Sequence, residues 1–243
     1  MEEDIKIPIE NKKYIYGILR GSLKQPLVIF VHGFTGHKNE HQFFNGGRFF
    51  ERKGFSTFRF DLYNWHKDAR KLEECTLSIH GQDLDVVIGY LRKKGAKKIF
   101  VVGHSFGGAT VLLSKKKNFN AAVLWDSTGD KDVKLIARYI RELDKYYYQD
   151  DSAYGFTISK EMYEENNKQL KPSELIREIR VPIKIIVAGL GIMVNEGKKL
   201  FQNANEPKAI AIIPNATHCF DEDGAEEKLL EETYSWFKKF LEF

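Results

Sequence analysis

Cysteine is nearly absent from this 243-residue chain: only Cys75 and Cys219 occur, far apart and without metal-ligand spacing. That scarcity argues against a disulfide framework and makes a reducing, cytoplasmic setting the default expectation. Long apolar runs are missing as well. No stretch approaches the ~20 apolar residues a membrane span needs, and the opening MEEDIKIPIENKK has no apolar core of signal-peptide length. Charge of one sign is not in excess either: 38 basic residues face 34 acidic ones, for a net charge of +4. The balance gives no ground for a nucleic-acid or membrane partner. The short basic runs Arg92-Lys93-Lys94 and Lys115-Lys116-Lys117 fall where helices are predicted to end, facing the helix dipole favourably. There is no internal repeat, low-complexity tract or second domain.

What the chain does have is an alternation of apolar runs and amphipathic stretches. Ile5–Ile9 and Tyr14–Leu19 alternate apolar and polar residues around Glu10-Asn11-Lys12, as in a hairpin. A continuous apolar run follows at Leu27–Val31, and similar runs recur at Ser56–Phe60, Ile99–Val102, Ala121–Trp125, Ile183–Ala188 and Ala209–Ile213. Such runs fit strands buried on both faces. Helices are predicted between them, at roughly 41–52, 77–94, 106–117, 196–204 and 224–241. In the second, Leu77, Leu84, Val87, Ile88 and Leu91 recur at helical spacing. Strands alternating with helices predict a parallel, doubly wound sheet whose chemistry sits at the carboxyl ends of its strands. One connection is too long: after Trp125, more than fifty residues pass before the run at Ile183, including RELDKYYYQDDSAYGF. It is expected to be an inserted cap with helices of its own.

Three stretches carry chemistry. In VVGHSFGGAT, a strand runs through Val102 into Gly103-His104-Ser105-Phe106-Gly107, and a helix leaves at Phe106. A tight strand-to-helix turn needs small residues beside the serine. It lifts the Ser105 hydroxyl above the sheet edge, at a helix N-terminus with unpaired amides. Ser105 is therefore the candidate nucleophile. In VIFVHGFTG, a buried strand ends at His32-Gly33 and turns through Phe34. The amide of Phe34 and that of Phe106 are the candidate oxyanion donors, and His32 is expected to brace the loop. In IIPNATHCF, His218 lies in a loop between the last strand and the last helix, and is the candidate base. Its neighbour Cys219 is expected to serve packing.

Taken together, GHSFGG, HGFTG and NATHCF resemble an α/β-hydrolase, with HGFTG similar to the cinnamoyl/feruloyl-esterase-like and acyl-hydrolase branch. The resemblance spans Ile5 to Phe243. It implies an α/β-hydrolase fold: a mostly parallel eight-stranded sheet with helices on both faces and a cap inserted after the sixth strand. The domain limits that go with it are a core of 1–126 and 174–243 and a cap of 127–173. It also implies ester hydrolysis through an acyl-enzyme, with a small-molecule ester as partner and no metal or organic cofactor. Members of the family usually carry an acid shortly after the seventh strand, yet here that position is Ile192 in IIVAGLGIMVNEGKKL. Asp126, at the end of the sixth strand beside the nucleophile strand, is the favoured substitute. Glu196 is a second candidate, a site with no carboxylate at all is the third alternative, and Asn195 either orients the histidine or caps the next helix. Asp61 and Asp83 are read as structural. The leading expectation is a serine hydrolase of small acyl or aryl esters. The alternatives are a thioesterase or acyltransferase on the same site, and a degenerate hydrolase that binds without efficient turnover. Tyr146, Tyr147, Tyr148, Tyr154 and Phe156 either line an apolar or aromatic substrate pocket or form the cap's own core.

Overall fold

A computed structural model of the chain describes residues 1–130, 136–149 and 154–242. Eight strands form one sheet in the order β1-β2-β4-β3-β5-β6-β10-β11. They are β1 (Glu2–Pro8), β2 (Tyr14–Arg20), β3 (Leu27–Val31), β4 (Ser56–Phe60), β5 (Ile99–His104), β6 (Ala121–Trp125), β10 (Ile183–Ala188) and β11 (Lys208–Ile213). The hairpin β1–β2 is antiparallel, with Ile7 opposite Ile15, and β2 is antiparallel to β4. From β4 to β11 every pairing is parallel. Each of β3 to β6 and β10 is buried at every position, which is why they read as largely apolar runs; the charged exceptions, Arg59 of β4 and Lys184 of β10, are ion-paired with Glu2 and Glu232. The edge strand β11 departs from that expectation, with only Ile213 buried.

Helices cover both faces. Leu84, Val87, Ile88 and Leu91 of α2 (Leu77–Lys93), Val111 and Leu112 of α3 (Phe106–Leu113) and Leu200 of α6 (Val194–Asn203) pack on Ile29, Val31, Val101 and Ile185. On the other face, Phe43 and Phe50 of α1 (His41–Arg52) and Leu229, Trp236 and Phe237 of α7 (Ala225–Lys238) meet Val28, Phe30, Phe100 and Trp125. Each fully buried Leu or Phe in these two layers contributes ~1.5–3 kcal/mol relative to exposure. Helix α3 stops at Leu113, four residues before its predicted end. Asp85 of α2 accepts from Ser114 Oγ (2.6 Å) and from the Lys115 amide (3.0 Å), drawing the chain out of the helix.

Between β6 and β10 the expected insertion has a different interior. Its first part is a three-stranded antiparallel meander, β7 (Ala137–Ile140), β8 (Lys145–Gln149) and β9 (Gly155–Ile158), rather than helices. Residues 131–135 and 150–153 of the insertion lie outside the described residues. Tyr139 pairs with Tyr146, and Tyr148 with Phe156, so aromatic cross-strand pairs supply the sheet's cohesion. Two short helices follow, α4 (Lys160–Glu164), capped by Ser159 accepting from the Met162 amide, and α5 (Pro172–Leu175). A small apolar cluster of Cys75, Leu77, Phe106, Ile158 and Met162 fastens the insertion to the core next to Ser105.

Candidate active site

The turn at Ser105 is built by its glycines. Ser105 has φ 55° and ψ −119°, a region that side chains other than glycine rarely occupy. A Cβ on Gly107 would sit 2.1 Å from the Val31 carbonyl oxygen, and one on Gly103 would sit 2.4 Å from that of Gly107. Neither backbone can yield, so only glycine lets β5 turn into α3 this tightly. The Ser105 amide donates to Trp125 O (3.0 Å), and Ser105 O accepts from the Thr128 amide (3.2 Å), which locks the turn to the exit of β6. The serine itself is only partly exposed.

The loop after β3 lies alongside. A Cβ on Gly33 would approach Ser105 Cβ to 3.1 Å, so the loop passes directly over the serine. Neither the Phe34 amide nor the Phe106 amide donates a hydrogen bond among the described residues. His32 braces this loop as expected from its position: Nδ1–H donates to Gly33 O (2.8 Å) and Nε2 accepts from the Leu62 amide (3.0 Å). Complete burial pushes its pKa down to about 4, so it stays neutral. The Phe34 ring packs on Phe106 (5.2 Å between centroids) and on Tyr148 of the insertion (5.4 Å). Tyr146, by contrast, stacks on Tyr163 inside the insertion at 3.8 Å. Tyr146 thus belongs to the insertion's own core and Tyr148 to the wall beside Phe34, while Tyr154 is exposed and serves neither.

His218 and Asp126 meet. His218 Nδ1 lies 2.6 Å from Asp126 Oδ2, and Asp126 Oδ1 accepts from the Ala188 amide at 3.1 Å. Asp126 is 1 % exposed, and its positive φ of 39° swings the chain away from β6 at that residue. The His218 side chain is 41 % exposed, and its Nε2 makes no hydrogen bond among the described residues. Ser105, at the end of β5, and Asp126, at the end of β6, therefore belong to neighbouring strands, and His218 reaches over from the loop after β11.

The other acid candidate lies elsewhere. Glu196 is buried in α6, where its Oε2 accepts from the Asp130 amide (2.7 Å) and its chain packs on Gly129. Asn195 does not cap α6. It sits inside the first turn, exposed, because the helix already starts at Val194 with Met193 at its N-cap. Cys219 is exposed and free, so packing is not its role; the buried anchor of that loop is Phe220.

Two features had no readable signal in the sequence. The first is a hydrogen-bonded row of side chains behind His218. His104 Nε2–H donates to the His218 carbonyl (2.9 Å), and its Nδ1 accepts from Gln42 Nε2 (3.3 Å). Gln42 Nε2 also donates to Glu40 Oε2 (3.2 Å). Gln42 and Glu40 are more than sixty residues from His104, and only the fold brings them together. The second is a cleft of about 650 Å³ beside the Phe34 loop, lined by Thr35, Gly36, Tyr63, Trp65, Leu72 and Phe156 among others. It opens on the β3–β4 side of Ser105, away from His218. Among the described residues no cluster of His, Cys, Asp and Glu is arranged to hold a metal ion, and no helix is long and apolar enough to cross a membrane.

A strand–turn–helix serine, two unpaired amides and a histidine–carboxylate pair at the carboxyl edge of this sheet define an α/β-hydrolase architecture. The chain belongs to the alpha/beta hydrolase fold family, whose model matches residues 26–182. Among solved structures, it is similar to the esterase domain of a Rhodothermus marinus protein, at 19 % identity with 99 % of each chain covered and a TM-score of 0.78. It is also similar to Est1E of Butyrivibrio proteoclasticus solved with ferulic acid, at 20 % identity, covering 98 % of this chain and 100 % of that one, with a TM-score of 0.80. At that identity the likeness establishes the fold. An uncharacterized 31.7 kDa Escherichia coli protein from the traX-finO intergenic region is 22 % identical, over 93 % of this chain and 95 % of its own length.

Proposed function

We propose that the protein is a serine-dependent hydrolase of carboxylic esters that works through an acyl-enzyme. The observation that carries this reading is the 2.6 Å contact between His218 Nδ1 and Asp126 Oδ2, beside a serine held in a glycine-built turn. In this scheme Ser105 Oγ bonds to the acyl carbon as its proton passes to His218 Nε2. The carbonyl oxygen becomes an oxyanion and accepts from the Phe34 and Phe106 amides. Collapse breaks the bond to the alcohol, whose oxygen takes the proton from His218. Water then enters by the same route, with His218 as base, and releases the acid and free Ser105. Asp126 keeps the Nδ1–H tautomer, so that Nε2 faces the serine as an acceptor.

The sheet order orients the substrate. His218 must hand its proton to the alcohol oxygen, so the alcohol lies on the β6–β11 side. The acyl group then extends toward β3 and β4, where the cleft begins at Thr35 and Gly36. Its apolar walls, Tyr63, Leu72 and Phe156, suit small acyl or aryl groups. Ferulic acid bound to Est1E, an aryl acid in a protein of the same fold, is in line with that choice. A degenerate, non-catalytic site would be favoured by a histidine without a carboxylate, and Asp126 supports the catalytic reading over it.

Labelling with a fluorophosphonate and assaying p-nitrophenyl esters, beside Ser105→Ala and His218→Ala, tests the reading. Wild type should label at Ser105 and turn over esters, and both variants should fail. A folded wild type that neither labels nor turns over esters refutes it. Faster turnover of matched acyl thioesters, or acyl transfer exceeding hydrolysis, would instead identify a thioesterase or acyltransferase on the same site.

A further inference from the structure

His218 stands on a loop whose neighbouring residues are pinned: the Leu190 amide donates to Ala216 O (2.9 Å), the Thr217 amide to Glu222 Oε1 (2.9 Å) and the Phe220 amide to Thr217 O (3.0 Å). The His218 side chain is 41 % exposed, so apolar packing does not fix its position, and the buried anchor Phe220 lies two residues away. Asp126 grips the ring at Nδ1, and the backbone of His218 itself is held from the other side, at its carbonyl. His104, one residue before Ser105, donates from Nε2 to the His218 carbonyl at 2.9 Å, and its ring lies 4.8 Å from that of His218.

We propose, on the basis of the hydrolase reading above, that His104 and Gln42 are positioning residues for His218, held in register by Glu40. Burial lifts the Glu40 pKa to about 7; at higher pH the ionised carboxylate only accepts, so the Gln42 amide nitrogen must face it and every proton in the row is specified. The second hydrogen on that nitrogen points at His104 Nδ1, which therefore carries a lone pair. The His104 proton is thereby placed on Nε2, where it meets the His218 carbonyl. Reversing any member would set two donors or two acceptors face to face in a buried place. Burial pushes the His104 pKa down to about 3, so the ring remains neutral and the tautomer is not lost by protonation.

Glu40 gives the row a second attachment. Its Oε1 accepts from the His37 amide at 3.3 Å, and it packs so closely under Gly36 that a Cβ there would lie 2.1 Å from the same oxygen. Gly36 and His37 follow directly on Phe34 and Thr35. The row therefore ties the loop bearing one oxyanion amide to the loop bearing the base, and sets their separation across Ser105. Gln42, in the first turn of α1, is 2 % exposed, and His104 is 5 % exposed. Water does not substitute readily for either.

The test compares Gln42→Leu and His104→Leu, which delete donors, with His104→Gln, whose amide nitrogen can still reach the His218 carbonyl. At temperatures well below each variant's Tm, the two leucine variants should lose on the order of 10- to 100-fold in kcat with KM changed by no more than about threefold. His104→Gln should recover most of the loss. A merely structural role would lower Tm and leave kcat intact. An independent readout is the proton NMR signal of the His218 Nδ1–H, assigned by its disappearance in Asp126→Asn. It should be sharp in wild type and His104→Gln, and broadened by exchange in the leucine variants. Should His104→Leu not fold, Gln42→Leu alone decides. Unchanged kcat and an unchanged signal in folded Gln42→Leu overturn the proposal. Should wild type hydrolyse no ester, the hydrolase reading falls while the NMR comparison still tells whether the row positions His218.

Discussion

Replacing Asp126 with asparagine should silence the site with little change in the fold. The carboxylate accepts twice, from the Ala188 amide at 3.1 Å and from His218 Nδ1 at 2.6 Å. Asparagine has one oxygen. Facing Ala188 with it avoids orphaning a buried amide, a loss of about 1–3 kcal/mol. The new NH2 then faces His218 Nδ1 and forces the proton onto Nε2, where it meets the serine as a donor and cannot accept. A triad with the wrong tautomer loses ~10⁴ in kcat, while binding and the oxyanion amides leave a residual rate above water. Glu196→Gln is the matched control: an amide oxygen still accepts from Asp130, so kcat should stay within about threefold of wild type. The assay is kcat for p-nitrophenyl acetate, alongside Tm by circular dichroism. An Asp126→Asn protein with wild-type Tm and more than about a tenth of the wild-type kcat would refute the assignment, as would a larger loss in Glu196→Gln.

Other perturbations follow from the same geometry. Gly107→Ala would press a methyl group into the Val31 carbonyl and should destabilise the protein by ~3 kcal/mol or more, read as a lost urea midpoint or insoluble expression. Thr233→Val strands the Trp125 indole N–H, now 2.9 Å from Thr233 Oγ1, and should cost about 1–3 kcal/mol in urea denaturation without touching KM. Burial lifts Glu40 to about 7, above its usual 4.5. Between those values the folded protein holds a proton the unfolded chain has released. The contribution is therefore full below pH 4.5 and lost as pH rises through 7, a swing of about 3 kcal/mol. Glu40→Leu should flatten the fall in urea stability between pH 5 and pH 8, and an equally steep fall in that variant would contradict the burial argument.

What the sequence disclosed, and what it withheld, divides by the range of the interaction. Leu27–Val31 and Ala121–Trp125 read as buried strands because each is covered on both faces, and local composition records that. The turn at Ser105 was legible because steric demands within a few residues dictate glycine at 103 and 107. The insertion does carry helices, α4 and α5, but its first part is a meander of strands that the sequence does not announce. The residues 145–149, KYYYQ, are stabilised by cross-strand pairing with Tyr139 and Phe156, and no periodicity within a five-residue strand reveals its partners. Asn195 looked like a helix cap by residue type, but the helix begins one residue earlier, at Val194. The Glu40–Gln42–His104 row was invisible for a similar reason. Nothing in GHSFGG says what will stand behind its histidine until α1 is laid beside β5.

Placing the carboxylate on β6 has a consequence for the loop after β10. Leu190-Gly191-Ile192 runs past Asp126 without contributing a charged group, and its flanking side chains are 66 % and 78 % exposed. Only Gly191 is constrained, since a Cβ there would come within 3.3 Å of Asp126 Oδ2. Under the proposed mechanism, two outward-facing positions at the rim of the site are thus relieved of any duty to the proton relay. On that reading they can be randomised as a pair to retune what the site admits on the proposed alcohol side, with the reaction chemistry held constant beneath them.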